Sequence, residues 1–386
     1  MSPSRTNPPL DAPALVRDPK TKVVVTCGSG GVGKTTTAAA IALIGAEAGR
    51  RTVVLTIDPA RRLAQSMGLT ELDNTPREVK AASIDPASGG QLFAMMLDMK
   101  RTFDDVVLEH STPERAEQIF ANPFYQSLSS SFAGTQEYMA MEKLGQLVAT
   151  NEWDLIVVDT PPSRSALDFL DAPNRLGRFL DGRMIRLLTA PAKAGGKAYM
   201  KVVTVSVGMV ARVFTKVIGG DLLNDLSTFV TALESMFGGF RERAQQTYEL
   251  LKTPGTAFIV VAAPEPDALR EASYFVERLS AERMPLAGVV VNRTRRAAAV
   301  DGAEPLSAAR AELAADALTG TDGPSTLARA ALRVHAEIAA AAEHDARMTK
   351  RFSSAHPEVP LVSVTALPAD VHDLDGLREI GSLLGA

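Results

Sequence analysis

Gly28-Ser29-Gly30-Gly31-Val32-Gly33-Lys34-Thr35 has the residue types and spacing of a phosphate-binding loop, G-x-x-x-x-G-K-T. Glycines let the backbone curl with its N–H groups inward, lysine places a compact cation among phosphates, and the Thr35 hydroxyl suits Mg²⁺. A glycine-rich turn with a solvated lysine would use the same residues, but the flanks favour the phosphate loop. Val23-Val24-Val25-Thr26-Cys27 before it is a short apolar run, as in a buried parallel strand. Thr35 to Ala48 is Ala-rich, lacks proline and reads as a helix, with Thr36 in its first turn. Strand, loop and helix N-terminus then aim N–H groups and the positive end of a helix dipole at one phosphate chain. The expected ligand is a nucleoside triphosphate, contacted by Gly28 through Thr36.

Two aspartates could complete that chemistry. Asp58 opens Asp58-Pro59-Ala60-Arg61-Arg62 after the apolar run Thr52 to Ile57. Asp159 opens Asp159-Thr160-Pro161-Pro162-Ser163 after Leu155 to Val158. An acid at the end of an apolar strand can hold Mg²⁺ directly or through water, and Thr35 with Asp159 is the expected Mg²⁺ pair. Each aspartate could instead cap a helix or a turn.

Further strand-like runs, Leu92 to Leu97, Ala257 to Ala262, Gly288 to Val291 and Leu361 to Val364, alternate with helical stretches. The expected fold class is therefore α/β, with a mostly parallel, doubly wound sheet and ligands at its carboxyl edge. Lys100 to Thr150 and Arg175 to Leu251 break the alternation and read as one inserted helical subdomain. Met200, Val203, Val207, Met209, Val210 and Phe214 in the second stretch suit internal or dimer packing, or a groove for a hydrophobic client. Leu306 to Arg347 reads as an Ala-rich helical insertion, broken at Gly320 to Pro324. The polar, Pro-rich residues 1–20 read as a disordered arm, leaving 21–386 as the nucleotide-binding domain.

The 386 residues carry a formal charge of -4 and 46% hydrophobic residues. That supports a large core and argues against general nucleic-acid binding. Neither a signal peptide nor a run of about 20 apolar residues stands out, so a cytoplasmic location is expected. Cys27 is the only cysteine, too few for a Cys-x-x-Cys zinc clip or a three-thiolate arsenite site. A nucleotide kinase is a further reading, with Arg293-Thr294-Arg295-Arg296 as its only candidate lid. A DNA-partition ATPase is another, but it needs a basic surface.

The order P-loop, Asp-Pro-Ala, Asp-Thr-x-Pro resembles the arsenical-pump and tail-anchored-protein-targeting ATPase family, deviant-Walker P-loop proteins that work as ATP-sandwiching dimers. The match runs from about Lys22 to Gly376. It includes Ala94-Met95-Met96-Leu97-Asp98, Gly134-Thr135-Gln136-Glu137, Ala263-Pro264-Glu265, Val291-Asn292-Arg293 and Leu367-Pro368-Ala369-Asp370-Val371. The resemblance implies an Mg²⁺-dependent ATPase in which Asp58 activates the attacking water and Lys34 holds the phosphates. Asn292 would read the adenine edge, with Glu265 and the Pro368 loop closing the base and ribose pocket. Segments after Asp58 and Asp159, with Arg61, Arg62, Pro161, Ser163 and Arg164, would be switches that report the γ-phosphate to the helical subdomain.

Three departures from the family pattern bear on this. Ser29 stands where the family has a signature lysine that reaches the partner's phosphates. Arg61-Arg62 replaces His-Asn, and Ser163-Arg164-Ser165 replaces Thr-Gly-His. The zinc and arsenite cysteines are missing. A homodimer would then be slow, or would use Arg61 or Arg62, or the chain would pair with a paralogue that keeps the lysine. Two readings follow: a dimeric ATPase switch coupled to a protein client or membrane-protein partner, or a weakly or non-hydrolysing ATP-binding subunit of a heterodimer.

Overall fold

The computed structural model describes residues 7–57, 62–69, 71–80, 84–122, 125–126, 135–161, 242–297, 305–320 and 322–385. Eight strands form one sheet: β1 (Val23–Cys27), β2 (Arg51–Thr56), β3 (Arg77–Glu78), β4 (Gln91–Met96), β5 (Leu155–Asp159), β6 (Thr256–Ala262), β7 (Leu286–Thr294) and β8 (Leu361–Thr365). Their order is β3-β4-β2-β5-β1-β6-β7-β8. All neighbours are parallel except β3 and β4. The fold is thus α/β with a mostly parallel sheet, and the strand order turns back on either side of β1, where such sheets open a ligand crevice. Seven strands coincide with the apolar runs of the sequence. The two-residue β3 is exposed and polar, so hydrophobic patterning carries no trace of it.

The described residues form the helices α1 (Ala12–Arg17), α2 (Lys34–Glu47), α3 (Arg62–Ser66), α4 (Met99–His110), α5 (Pro113–Ala121), α6 (Thr135–Ala149), α7 (Pro266–Ala281), α8 (Ala308–Ala317), α9 (Gly323–Ala355) and α10 (Leu374–Leu383). Helix α2 is buried nearly all round, and its alanines let it lie close to the sheet. It shares one core cluster with Ala12 and Val16 of α1, Leu377 and Ile380 of α10, and alternate strand residues Val24, Val54, Val157 and Ile259. The intervening Val23, Val25, Leu55 and Val158 are buried too, so both faces of the sheet are covered.

The N-terminal arm departs from the disorder expected of residues 1–20. From residue 7 onward it is built into the fold. Leu361 N–H donates to Pro8 O at 3.0 Å, Leu10 N–H donates to Leu361 O at 3.2 Å, and Asp11 caps α1 through Ala14 N–H. Leu10, Ala12 and Val16 are three apolar anchors in a polar segment, and all are buried. Arg50 fixes this arm. Its guanidinium donates to the carbonyls of Val16 (2.6 Å), Asp18 (3.3 Å), Thr21 (2.5 Å) and Asp154. Burial pulls its pKa below the usual arginine value, opposed by the charges of Asp154 and Asp18.

The chain divides into two compact units, Met1–Met96 with Glu152–Ala166 and Leu251–Ala386, and Leu97–Asn151 with Leu167–Leu250. The first holds the sheet and the α8–α9 pair, whose first helix ends at Ala317 and whose second starts at Gly323 and runs eight residues beyond Arg347. The second contains α4, α5 and α6. There Arg243 pairs with the buried Glu142 at 3.0 Å, and Tyr125 donates to Asp104 at 2.5 Å. The methionine-rich stretch from Met200 to Phe214 lies outside the described residues, as do Gly134 and residues 1–6.

Candidate nucleotide site

The glycine loop joins β1 to α2, so the N-terminus of α2 is aimed at the crevice beside β1. Gly28 and Gly33 are required sterically. A Cβ on Gly28 would come within 2.0 Å of Val261 O, and one on Gly33 within 2.2 Å of Asn292 Nδ2. Both also have positive φ, 149° and 93°. Lys34 is buried, and its ammonium donates to Ser29 O at 2.7 Å, across the loop it serves. The Ser29 hydroxyl is buried without a hydrogen-bond partner among the described residues.

Asp159 ends β5 between β1 and β2, in register with Thr26 and Thr56. Its Oδ2 accepts the hydroxyls of Thr35 at 2.7 Å and Thr56 at 2.9 Å. The side chain is fully buried. The expected Mg²⁺ pair, Thr35 and Asp159, is therefore in direct contact. A hydroxyl, a carboxylate and two phosphate oxygens are the hard oxygen donors that Mg²⁺ takes, so the residues fit that ion. Among the described residues no three His, Cys, Asp or Glu side chains cluster as a metal site.

A cavity of about 1020 Å³ opens over the loop. Gly30, Gly31, Gly33, Lys34, Thr35 and Thr36 line it on one side, and Asn292 and Arg293 on another. Leu367, Ala369, Asp370 and His372, from the loop after β8, complete it. Asn292 Nδ2 donates to Val32 O at 2.9 Å and Arg293 Nη1 to Gly31 O at 3.0 Å, so the end of β7 is tied to the back of the glycine loop. Of the other expected base-pocket residues, Pro368 sits between two lining residues, whereas Glu265 is exposed at the N-terminus of α7 and outside the lining.

Arg293, singled out in the sequence as part of a candidate lid and of the Val291-Asn292-Arg293 match, has no role of its own there, and the structure bonds it to the glycine loop. It holds φ 61° inside a strand, a backbone state that side-chain pattern does not reveal. Asp58, Arg61, Ser163 and Arg164 lie outside the described residues, and of Arg62 only the backbone, at the start of α3, is described. Ile57, the residue before Asp58, donates its N–H to Asp159 O at 2.9 Å. Pro161 is buried. Cys27 is buried at the end of β1, and burial pushes its thiol up to about 12, against the pull of Lys34. It behaves as a small hydrophobe.

Residues 21–315 match the anion-transporting ATPase family. The chain belongs to that family. It is 28% identical over 301 residues to the ATPase ARSA2 of Chlamydomonas reinhardtii, covering 76% of this chain and 74% of that one. To the ATPase GET3B of Arabidopsis thaliana it is 27% identical, covering 72% and 66%. To protein Rv2184c of Mycobacterium tuberculosis it is 31% identical over a shorter stretch, 40% of this chain and 38% of the relative. This family member has serine at position 29 of its glycine loop.

Proposed function

We propose that the chain is an Mg²⁺-dependent ATPase that works as a dimeric switch in the cytoplasm and couples ATP to a protein partner or client. The observation that carries this is the Thr35–Asp159 contact beneath the glycine loop, at the mouth of a cavity of nucleotide size. Lys34 exchanges its bond to Ser29 O for the outer phosphates, and the N–H groups of Gly30 to Thr35 cradle them. Thr35 and Asp159 would hold the Mg²⁺, which would supply charge neutralisation at the phosphates. Asp58 orients the water and accepts its proton. Asn292 faces the base, and the loop carrying Pro368, Asp370 and His372 closes over base and ribose. Arg61, Arg62, Pro161, Ser163 and Arg164 are switch residues that transmit the γ-phosphate.

A second reading follows from Ser29. Its side chain bears no charge to send across a dimer, so two copies of this chain lack the trans cation that speeds phosphoryl transfer by about 10³–10⁵. A paralogous chain that keeps the lysine would then supply turnover, and this chain would be its ATP-binding regulatory partner.

Steady-state hydrolysis by the purified chain, with Lys34→Ala as the blank and Mg²⁺ titrated, decides between them. Mg²⁺-dependent turnover above the blank supports the self-sufficient switch. Tight Mg-ATP binding with turnover at the blank level supports the regulatory subunit. Absence of ATP binding sinks both.

A further inference from the structure

Arg293 sits where the sheet loses its even register. Between the pairs Val291–Ser363 and Thr294–Thr365, β7 advances three residues while β8 advances two. The extra residue makes a bulge, and bulges re-aim side chains. Arg293 holds φ 61° there, a state that glycine or asparagine takes at lower cost. Its neighbours pin the backbone on both sides. Asn292 Nδ2 donates to Val32 O at 2.9 Å, and Thr294 Oγ1 donates to Val364 O at 3.1 Å. Just beyond, Asp345 accepts the Arg295 N–H at 2.8 Å and its guanidinium at 2.6 and 2.9 Å. Strain held in place this firmly is a sign of use.

The N–H groups of a phosphate loop turn inward, so the Gly31 and Val32 carbonyls that β7 bonds mark the outer side of this one. The Arg293 guanidinium donates to Gly31 O at 3.0 Å and therefore lies beside the phosphate track, not in it. It is nevertheless exposed and lines the cavity over the loop. A guanidinium donates from its edge, so the bond to Gly31 leaves its flat faces unused. Among the described residues no carboxylate pairs with it. Leu367, Ala369 and Val371, from the loop after β8, bring apolar surface to the same cavity. A flat cation and an apolar wall suit a flat aromatic ring.

We infer that Arg293 is the platform on which the nucleobase stacks, with its guanidinium and stem against one face of the ring and the apolar loop after β8 against the other. Arginine lies on aromatic faces through cation–π attraction and through contact of the two planes. The bond to Gly31 O fixes the guanidinium beforehand, so little side-chain freedom is lost when the ring arrives. Every base has a π face, so stacking adds affinity without choosing among bases. The choice of base is left to groups at the ring edge. The inference rests on the nucleotide reading of this site and gives a role to a residue that the reading leaves idle.

Calorimetry on the full chain tests it, with Mg-ATP and with Mg-tripolyphosphate, which carries phosphates but no base. Arg293→Asn suits the backbone at φ 61° and removes the platform. It should weaken ATP binding roughly tenfold and leave tripolyphosphate binding within about twofold of wild type. Arg293→Lys keeps the charge and a donor for Gly31 O but loses the plane, and its ATP affinity should fall between the two. Equal loss of both ligands in Arg293→Asn overturns the platform, and recovery of both in Arg293→Lys would assign Arg293 to the phosphates instead. Unchanged ATP binding in Arg293→Asn overturns it as well. A wild-type chain that binds neither ligand removes the nucleotide reading itself. One that binds both equally well keeps the phosphate loop and overturns the platform alone.

Discussion

Asp159 shows how little of a functional group's setting is local. Its carboxylate is buried at the end of β5, and it is held by hydroxyls from two other elements, Thr35 on α2 and Thr56 on β2. Replacing it with asparagine keeps the size and an acceptor oxygen but removes the charge that a divalent ion needs. Asp159→Asn should therefore lower kcat at least about 100-fold and raise the Mg²⁺ concentration for half-maximal turnover, with Mg²⁺ titrations of the hydrolysis rate as the measurement. Thermal stability should change little, since the two threonine hydroxyls keep a partner. Equal Mg²⁺ dependence in the variant and wild type would remove Asp159 from the metal site. Lysine and threonine beside the glycines of the loop are the residue types a phosphate and a hard cation would call for, and the glycines themselves were legible in the sequence because a Cβ would strike Val261 or Asn292. Arg293 was not, because what distinguishes it is a positive φ and a bond to Gly31 O, and neither leaves a pattern in neighbouring residue types.

At the scale of elements, burial sorts the apolar runs into strands, and the misjudged segments are those held by a few specific contacts. Residues 7–20 look like a polar arm until Arg50 is seen gathering carbonyls from Val16, Asp18, Thr21 and Asp154. Arg50→Met keeps much of the side-chain volume and strands those carbonyls. It should cost about 2–4 kcal/mol, seen as a lower urea midpoint, with proteolysis appearing first in α1. The Arg295–Asp345 contact ties α9 to the end of β7 and gives a pH signature. Burial pushes the Asp345 carboxyl up, but the Arg295 hydrogen bonds and charge pull it further down, so its folded pKa lies below the ordinary value. A depressed carboxylate contributes stability that is present above about pH 3.9 and disappears as pH falls through the folded value. Asp345→Asn should thus be less stable than wild type at pH 7, and the two should converge below about pH 4. Urea midpoints across pH 3–7 check this, and a constant gap would assign the effect to packing alone.

At the scale of the whole molecule, the sheet unit contains every described residue of the candidate nucleotide site, and the second unit, with α4, α5 and α6, contains none. Two chain segments leave the sheet unit for the second one, after Met96 and after Ala166, and both return. Binding alone therefore need not alter the second unit. At 100 times its dissociation constant, ATP stabilises whatever binds it by about 2.7 kcal/mol, and amide exchange in α2 and at the end of β7 should slow accordingly. A switch requires more, because coupling exists only if the ligand has different free energies in two states of the distant element. Hydrogen exchange with and without Mg-ATP separates the cases within one protein. Protection of α2 together with altered exchange in α4–α6 is the outcome expected of a switch that reports the γ-phosphate. Protection of α2 with α4–α6 unchanged would confine the chain to ATP binding and leave client coupling without a physical carrier. Repeating the measurement with ADP isolates the γ-phosphate, since a signal in α4–α6 that persists in ADP cannot be a report of that group.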